Sequence, residues 1–161
     1  MTNAVSRLIL IRHGEAESTF ADDKSRSLTD KGRQQVLTAS KVMVNLMTEY
    51  GGFDRALVSP YTRTQQTFDI LTIHLKVERK VNCSLITPNS LVADAQREIF
   101  SQLAECRSLL LVTHMPLVSF LTSELCHLDT PPLFMTSSFA VIDIDLRQRA
   151  VELIDLVHQQ G

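Results

Sequence analysis

Leu8-Ile9-Leu10-Ile11-Arg12-His13-Gly14-Glu15 is the stretch around which the rest of the chain is arranged. Four aliphatic residues, two of them β-branched, form a short apolar run of the kind that makes a strand buried on both faces of a parallel sheet. The run stops abruptly at two side chains that can carry positive charge, followed by a glycine. Parallel sheets keep their ligand sites outside the carboxyl ends of the strands, which is where Arg12 and His13 then fall. Gly14 omits a side chain that would crowd this spot. Taken alone, the tripeptide is also compatible with an ordinary hydrogen-bonded histidine in a strand-to-loop turn, so its meaning depends on what other segments bring to the same edge.

Two further apolar runs end in the same way. Ala56-Leu57-Val58 is followed by Ser59-Pro60, which reads as an N-cap and a proline at the first helical position, with Arg63 in the first turn and Phe68, Leu71 and Leu75 on the helix's apolar face. Leu109-Leu110-Leu111-Val112-Thr113 is the most apolar strand candidate, punctuated by His114-Met115-Pro116 and followed by a short, largely buried helix over 117–125.

Between the first two strands, the polar stretch 16–27 has no period and reads as a loop. Thr29 then caps a helix with Asp30 in its first turn, and Val36, Ala39, Met43, Leu46 and Tyr50 recur at spacings of three and four before Gly51-Gly52 ends it. Gly32 lies inside the first turn, where glycine costs about 1 kcal/mol relative to alanine. Either another group approaches it closely or it is a tolerated surface glycine.

A weaker strand covers 77–81, and 83–90 is a turn region. Ser90 opens a helix carrying Val92, Ala95, Ile99 and Leu103 inward, or Asp94 opens a shorter one. Residues 139–144 and 150–157 are two strands close enough to form an antiparallel hairpin. The expected fold is α/β: one domain over residues 1–161, with a mostly parallel central sheet flanked by helices and a C-terminal antiparallel hairpin.

Composition narrows the function. A hydrophobic fraction of 44% with 21% charged residues belongs to an ordinary globular protein, and a net charge of −2 supplies no basic field for nucleic acid. Cys83, Cys106 and Cys126 are odd in number and lack Cys-x-x-Cys spacing, so neither a disulfide framework nor a zinc site is expected. Residues 1–6 are too short and polar for a signal peptide, and no run approaches the ~20 apolar residues of a membrane span. A cytoplasmic monomer without membrane or nucleic-acid contacts is the expectation.

Parallel strands bring Arg12, His13, Arg63 and His114 to one edge. Two guanidinium groups and two imidazoles repel one another unless an anion belongs among them, and the helix N-termini near Pro60 and Pro116 add partial positive charge. A phosphoryl group suits this pocket, because arginine's planar fork holds two oxygens at once. An imidazole whose second nitrogen is fixed by a backbone carbonyl can act as nucleophile, and His13 is better placed for that than His114.

Arg12-His13-Gly14-Glu15, Leu28-Thr29-x-x-Gly32-x-x-Gln35, Ser59-Pro60-x-x-Arg63-x-x-Gln66-Thr67 and Val112-x-His114-x-Pro116, in this order, resemble the histidine phosphatase superfamily, also called phosphoglycerate-mutase-like. The resemblance implies that His13 is the phosphorylated nucleophile and that Arg12, Arg63 and His114, with Gly14, surround the phosphate. Total length and the segment Thr130-Pro131-Pro132-Leu133-Phe134-Met135-Thr136-Ser137 are similar to the SixA-type phosphohistidine phosphatases. Larger relatives insert a helical subdomain where this chain has only about 40 residues, 68–108, so a shallow, open pocket is expected.

One departure bears on the substrate. Mutases and phosphomonoesterases of the superfamily carry a carboxylate in that middle region as general acid, and 85–89 has no convincing counterpart. Glu15, Glu17, Asp22, Asp23 and Asp94 are candidates by proximity only, each reading better as a solvated charge, so the general acid is left unassigned. Losing an acid costs an alkoxide leaving group roughly 10²- to 10⁴-fold, whereas a phosphohistidine departs as neutral imidazole. The expected activity is therefore metal-independent and cofactor-free removal of phosphate from a histidine on a partner protein, such as a phosphotransfer domain. The rivals are a small-molecule phosphomonoesterase or mutase of the same fold, and a non-catalytic phosphoprotein-binding module. His74, His127 and His158 are expected to stand apart as surface or capping residues.

Overall fold

A computed structural model of the chain describes residues 5–18 and 21–159. Most of the amino-terminal stretch judged too polar for a signal peptide, and positions 19 and 20 of the loop expected over 16–27, lie outside the described residues.

Six strands, β1 (Val5–Arg12), β2 (Phe53–Val58), β3 (Val77–Asn82), β4 (Ser108–Thr113), β5 (Phe139–Asp145) and β6 (Ala150–Val157), form one sheet in the order β3-β2-β4-β1-β5-β6. β1 pairs parallel with β4, as β2 does with β3 and β4, while β5 runs antiparallel to both β1 and β6. This is the mostly parallel α/β sheet with a terminal hairpin that the sequence predicts. Reversal at β5 and again at β6 returns the last strand to the direction of β1.

Four helices cover both faces: α1 (Asp30–Leu46), α2 (Thr62–Leu71), α3 (Val92–Leu103) and α4 (Leu117–Cys126). The strand period of two sorts the core. Ile9, Ile11, Val58, Val112 and Val141 pack with Val36, Met43 and Phe68 of α1 and α2. Leu8, Leu10, Leu57, Leu111 and Ile142 face Ile99, Val118 and Leu121 of α3 and α4. Burial on both faces explains the unbroken apolar run of β1, each aliphatic side chain contributing about 1.5–3 kcal/mol.

Helix ends depart from the sequence reading in three places. α1 is capped by Thr29, whose hydroxyl accepts from the Gly32 N–H at 2.9 Å, but it stops at Leu46, and Tyr50 lies in a separate 3-10 turn, Thr48–Tyr50, closed by left-handed Gly51. Neither Ser90 nor Asp94 opens α3. The Ser90 hydroxyl accepts from the Thr87 N–H at 2.9 Å, and the helix begins at Val92 without a side-chain cap. Ser59-Pro60 does not open α2 either: Tyr61 precedes its first residue, and the Ser59 hydroxyl is committed elsewhere.

Among the described residues no helix is long and apolar enough to cross a membrane. Burial pushes the thiols of Cys83, Cys106 and Cys126 up, the last to about 11, so each stays protonated at neutral pH.

Candidate active site

β1, β2 and β4 end on one edge of the sheet, and hydrogen bonds that continue the ladder hold the residues just beyond them. The His13 N–H donates to the Thr113 carbonyl (3.1 Å) and the Ser59 N–H to that of Val112 (3.1 Å). Arg12, His13, Arg63 and His114 are thereby brought together. The rings of His13 and His114 meet edge-on with centroids 5.2 Å apart, and Arg63 Nε lies 3.2 Å from His13 Nε2.

The protonation of His13 follows from its partners. Nδ1 is 2.7 Å from the Gly14 carbonyl oxygen, which can only accept, and Nε2 faces Arg63 Nε, which can only donate. The proton is therefore on Nδ1, and Nε2 presents its lone pair. Only 6% of His13 is exposed. Burial pushes its pKa down to about 3, against the opposing hydrogen bond to Gly14 and with help from Arg63 and Arg12, so the ring is neutral at pH 7. His114, 1% exposed, is pushed down to about 2 by burial first and by His13 and the same arginines after it.

The arginines are held by backbone oxygens. Arg12 Nη1 donates to the Phe134 carbonyl (2.8 Å), while its Nε is buried without a partner. Arg63 Nη1 donates to the Asp23 carbonyl (2.7 Å) and Nη2 to the Asp23 carboxylate (3.3 Å). Burial lowers the pKa of both guanidinium groups, and for Arg12 the charge of Arg63 adds to it. Concentrated positive charge around two neutral imidazoles is a site for an anion.

Other motif residues brace this cluster. Thr67 Oγ1 accepts from the Gly14 N–H (3.1 Å), and Gln66 Oε1 accepts from the Leu28 N–H (2.7 Å). Gln35 Oε1 accepts from the Glu15 N–H (3.1 Å) and the Thr136 hydroxyl (2.9 Å), tying the 130–137 segment to the turn after β1. Gly14 and Gly32 face each other: a Cβ on Gly14 would lie 2.7 Å from the Gly32 oxygen, and one on Gly32 would lie 2.1 Å from the Glu15 oxygen. Close approach, not surface tolerance, explains Gly32. The room left by Gly14 serves α1, and its N–H is taken by Thr67.

Three expectations need correction. The stretch 16–27 is not all featureless loop: Asp22 caps a 3-10 turn, Asp23–Ser25, and Ala16 bridges to Leu28. Asp23 is not merely solvated, since it pairs with Arg63 and with Arg26 (3.0 Å). His158 is a surface residue, as expected, but it is not away from the strand-end edge, because β6 runs parallel to β1 and ends there, where His158 Nδ1 meets the Ser138 hydroxyl at 2.8 Å. Ser138 also accepts the Arg12 N–H through its carbonyl (3.0 Å).

Of the other carboxylates, Glu15 pairs with Lys31 (3.6 Å), Asp94 with Arg97 (3.2 Å), and Asp22 accepts from the Ser25 hydroxyl (2.8 Å). His74 meets the Ser40 hydroxyl (3.1 Å), and His127 is the left-handed cap ending α4. Sequence reasoning missed Ser59, whose hydroxyl lies 2.7 Å from His114 Nε2, and Tyr61, which stacks edge-on against His114 at 4.9 Å with Arg63 over its ring at 5.0 Å. The Ser-Pro pair had a sufficient local explanation as a helix start, and nothing local singled out Tyr61. Among the described residues no group of three or more His, Cys, Asp or Glu side chains is gathered that could hold a metal ion.

Comparison with known proteins agrees with this geometry. The family model for the histidine phosphatase superfamily (branch 1) matches residues 8–86. Phosphohistidine phosphatase SixA of Escherichia coli (strain K12) is 31% identical over 86% of this chain and 86% of its own length. A SixA homolog from Haemophilus influenzae (strain ATCC 51907 / DSM 11121 / KW20 / Rd) is also 31% identical, over 83% and 85%. The solved structure of the protein histidine phosphatase SixA complexed with tungstate superposes with a TM-score of 0.85 at 27% identity, covering 94% of this chain and 96% of that one. Similarity that runs nearly end to end, on a shared fold and through the turn that carries Arg12 and His13, establishes that this chain belongs to the histidine phosphatase superfamily and is SixA-like within it.

Proposed function

We propose that the protein is a phosphohistidine phosphatase that dephosphorylates a histidine on a phosphorelay carrier, such as a phosphotransfer domain, through a phospho-His13 intermediate. The observation that carries the reading is the double restraint on His13: Gly14 holds the Nδ1 proton and Arg63 faces the Nε2 lone pair, so the ring waits in the nucleophilic tautomer.

In the first step Nε2 forms a bond to phosphorus while the phosphorus–nitrogen bond of the substrate breaks and its electron pair returns to the substrate imidazole. Positive charge that develops on the His13 ring is met by the Gly14 carbonyl. Arg63 gives up its contact with Nε2 and, with Arg12 and His114, turns to the phosphoryl oxygens, donors aimed at charge that grows in the transition state. Water then attacks phosphorus, the Nε2–phosphorus bond breaks, and inorganic phosphate leaves. No metal or cofactor takes part in this scheme. Tungstate is a tetrahedral oxyanion like phosphate, and the structurally similar SixA complexed with it supports an oxyanion site here.

Asp23 favours a second reading. It is a carboxylate in contact with the cluster, and protonated it would serve an ester's leaving oxygen, as a small-molecule phosphomonoesterase requires. Its two oxygens are each engaged, Oδ1 by Arg26 and Oδ2 by Arg63, which leaves neither turned to a leaving group and favours the first reading.

Side-by-side kinetics test the choice. A phosphorylated phosphotransfer domain should be turned over with kcat/KM at least ~10²-fold above phosphoserine peptide and 3-phosphoglycerate. Equal or better turnover of the esters would replace the assignment with a phosphomonoesterase, and binding without turnover would replace it with a recognition module.

A further inference from the structure

Ser59 and His114 form a buried pair whose protons can be counted. Ser59 is fully buried, and its hydroxyl has His114 Nε2, at 2.7 Å, as its hydrogen-bond partner. His114 Nδ1 is buried with no partner. A neutral imidazole carries one proton. With that proton on Nε2, the Ser59 hydroxyl becomes the acceptor, its own proton is buried with nothing to receive it, and Nδ1 is left as a bare lone pair. Two buried groups then go unsatisfied, each at the full cost of its desolvation. With the proton on Nδ1, Ser59 donates to Nε2 and a single group remains open, an N–H. That is the group an oxyanion satisfies.

We propose that Ser59 is a positioning residue: its hydroxyl donates to His114 Nε2 and so fixes the tautomer that offers Nδ1–H to a phosphoryl oxygen. The consequence for turnover rests on the phosphatase reading above, whereas the tautomer does not.

The backbone around Ser59 suits this role. Its N–H is bound to the Val112 carbonyl, and its own carbonyl accepts from Thr64 Oγ1 (2.8 Å) and Gln65 Nε2 (2.9 Å), so the residue is anchored on both sides. The His114 ring lies between His13 and Tyr61, each edge-on at 5.2 and 4.9 Å, which opposes a ring flip that would exchange the two nitrogens. Burial, His13, Arg63 and Arg12 all keep the ring neutral, so the tautomer, and not the charge, is what remains to be set. A lone pair on Nδ1 would repel the anion that a proton there attracts.

Two-bond proton–nitrogen correlation spectra of the wild-type protein at pH 7 read the tautomer directly, with His114→Gln used only to assign the ring signals. The expected result is a protonated Nδ1 whose resonance moves when inorganic phosphate is added. Ser59→Ala should mix the tautomers and lower kcat/KM about 10-fold, mostly in kcat, the scale seen when a partner that orients a functional histidine is removed. Ser59→Thr, which keeps the hydroxyl, should restore the tautomer and most of the rate. A protonated Nε2 in the wild type, an Nδ1 signal indifferent to phosphate, or a Ser59→Ala protein with unchanged tautomer would overturn the inference. Should Ser59→Ala fail to fold, the wild-type spectra alone decide. Wild-type protein that turns over no phosphorylated substrate, yet shows a protonated Nδ1 responsive to phosphate, supports the inference while removing the phosphatase reading.

Discussion

Gly32→Ala sets helix propensity against packing, and the two have opposite signs. In an open helix the substitution would stabilise by up to about 1 kcal/mol. Here the new methyl carbon would lie 2.1 Å from the Glu15 carbonyl oxygen and 2.8 Å from its nitrogen, both backbone atoms that no rotamer change can move. Relief requires displacing the first turn of α1 or the chain after β1 by about an ångström, and overpacking of this kind costs roughly 1–3 kcal/mol. Taking the upper part of that range because the obstacle is main chain, the net loss is about 2 kcal/mol, or ~4–8 °C in Tm for a chain of this size. The displaced residue follows Gly14, whose carbonyl holds His13 Nδ1, and it donates to Gln35, so catalysis should fall together with stability. Urea unfolding followed by circular dichroism measures the first effect, and steady-state kinetics on phosphohistidine protein the second. A variant as stable as the wild type, or more so, would refute the claim that Gly32 exists to let α1 touch the turn after β1.

His13→Ala should leave a folded protein without acid-labile ³²P after a brief substrate pulse; label that persists would move the nucleophile, with His114 next in line. Arg12→Ala and Arg63→Ala should each lower kcat/KM by roughly 10²- to 10³-fold, and losses under 10-fold in both would remove the arginines from the transition state. Acid should destabilise the fold before the carboxylates titrate. The pKa values of His13 and His114, about 3 and about 2, lie below the ordinary 6.5, so the unfolded chain binds more protons as pH falls. Their contribution is whole above pH 6.5 and is lost progressively down to about pH 3 and 2, at up to ~1.4 kcal/mol per pH unit for each histidine. Urea midpoints that stay level between pH 6.5 and 5 would contradict this.

The features legible in the sequence were those with a local signature. Apolar runs ended by Arg12-His13, Arg63 and His114 announce strands and what they carry, because the sheet's direction then places their ends together. Contacts whose reason lies far along the chain stayed hidden. Ser59 looks like a helix cap because Ser-Pro is one in most contexts, while its hydroxyl is claimed by a histidine 55 positions away. The ambiguity of Gly32 dissolves only when Glu15 is brought against it. Asp22–Arg26 has no period because its conformation is settled by Arg63 and by its own side chains, not by a buried face. The position of His158 is not local either: a hairpin can be read from two strands and a turn, but the edge on which it ends depends on how β5 pairs with β1.

Strand order also dictates when a newly made chain acquires its chemistry. β1 leaves the ribosome first, yet its neighbours in the sheet are β4 and β5: Leu8 lies beside Leu109 on one side and Ile142 on the other. The strand that ends at Arg12 must wait for β5 to be completed at Asp145, roughly 130 residues later, which at 5–20 residues per second is on the order of ten seconds of synthesis. Until β4 is made, Leu8-Ile9-Leu10-Ile11 has no sheet neighbour, and from then until β5 follows it has one on a single side. Closure of such distant pairings is slow as well as late. A nascent chain stalled anywhere before β5 should therefore be inert and prone to aggregate, with activity switching on abruptly once the last strands are released.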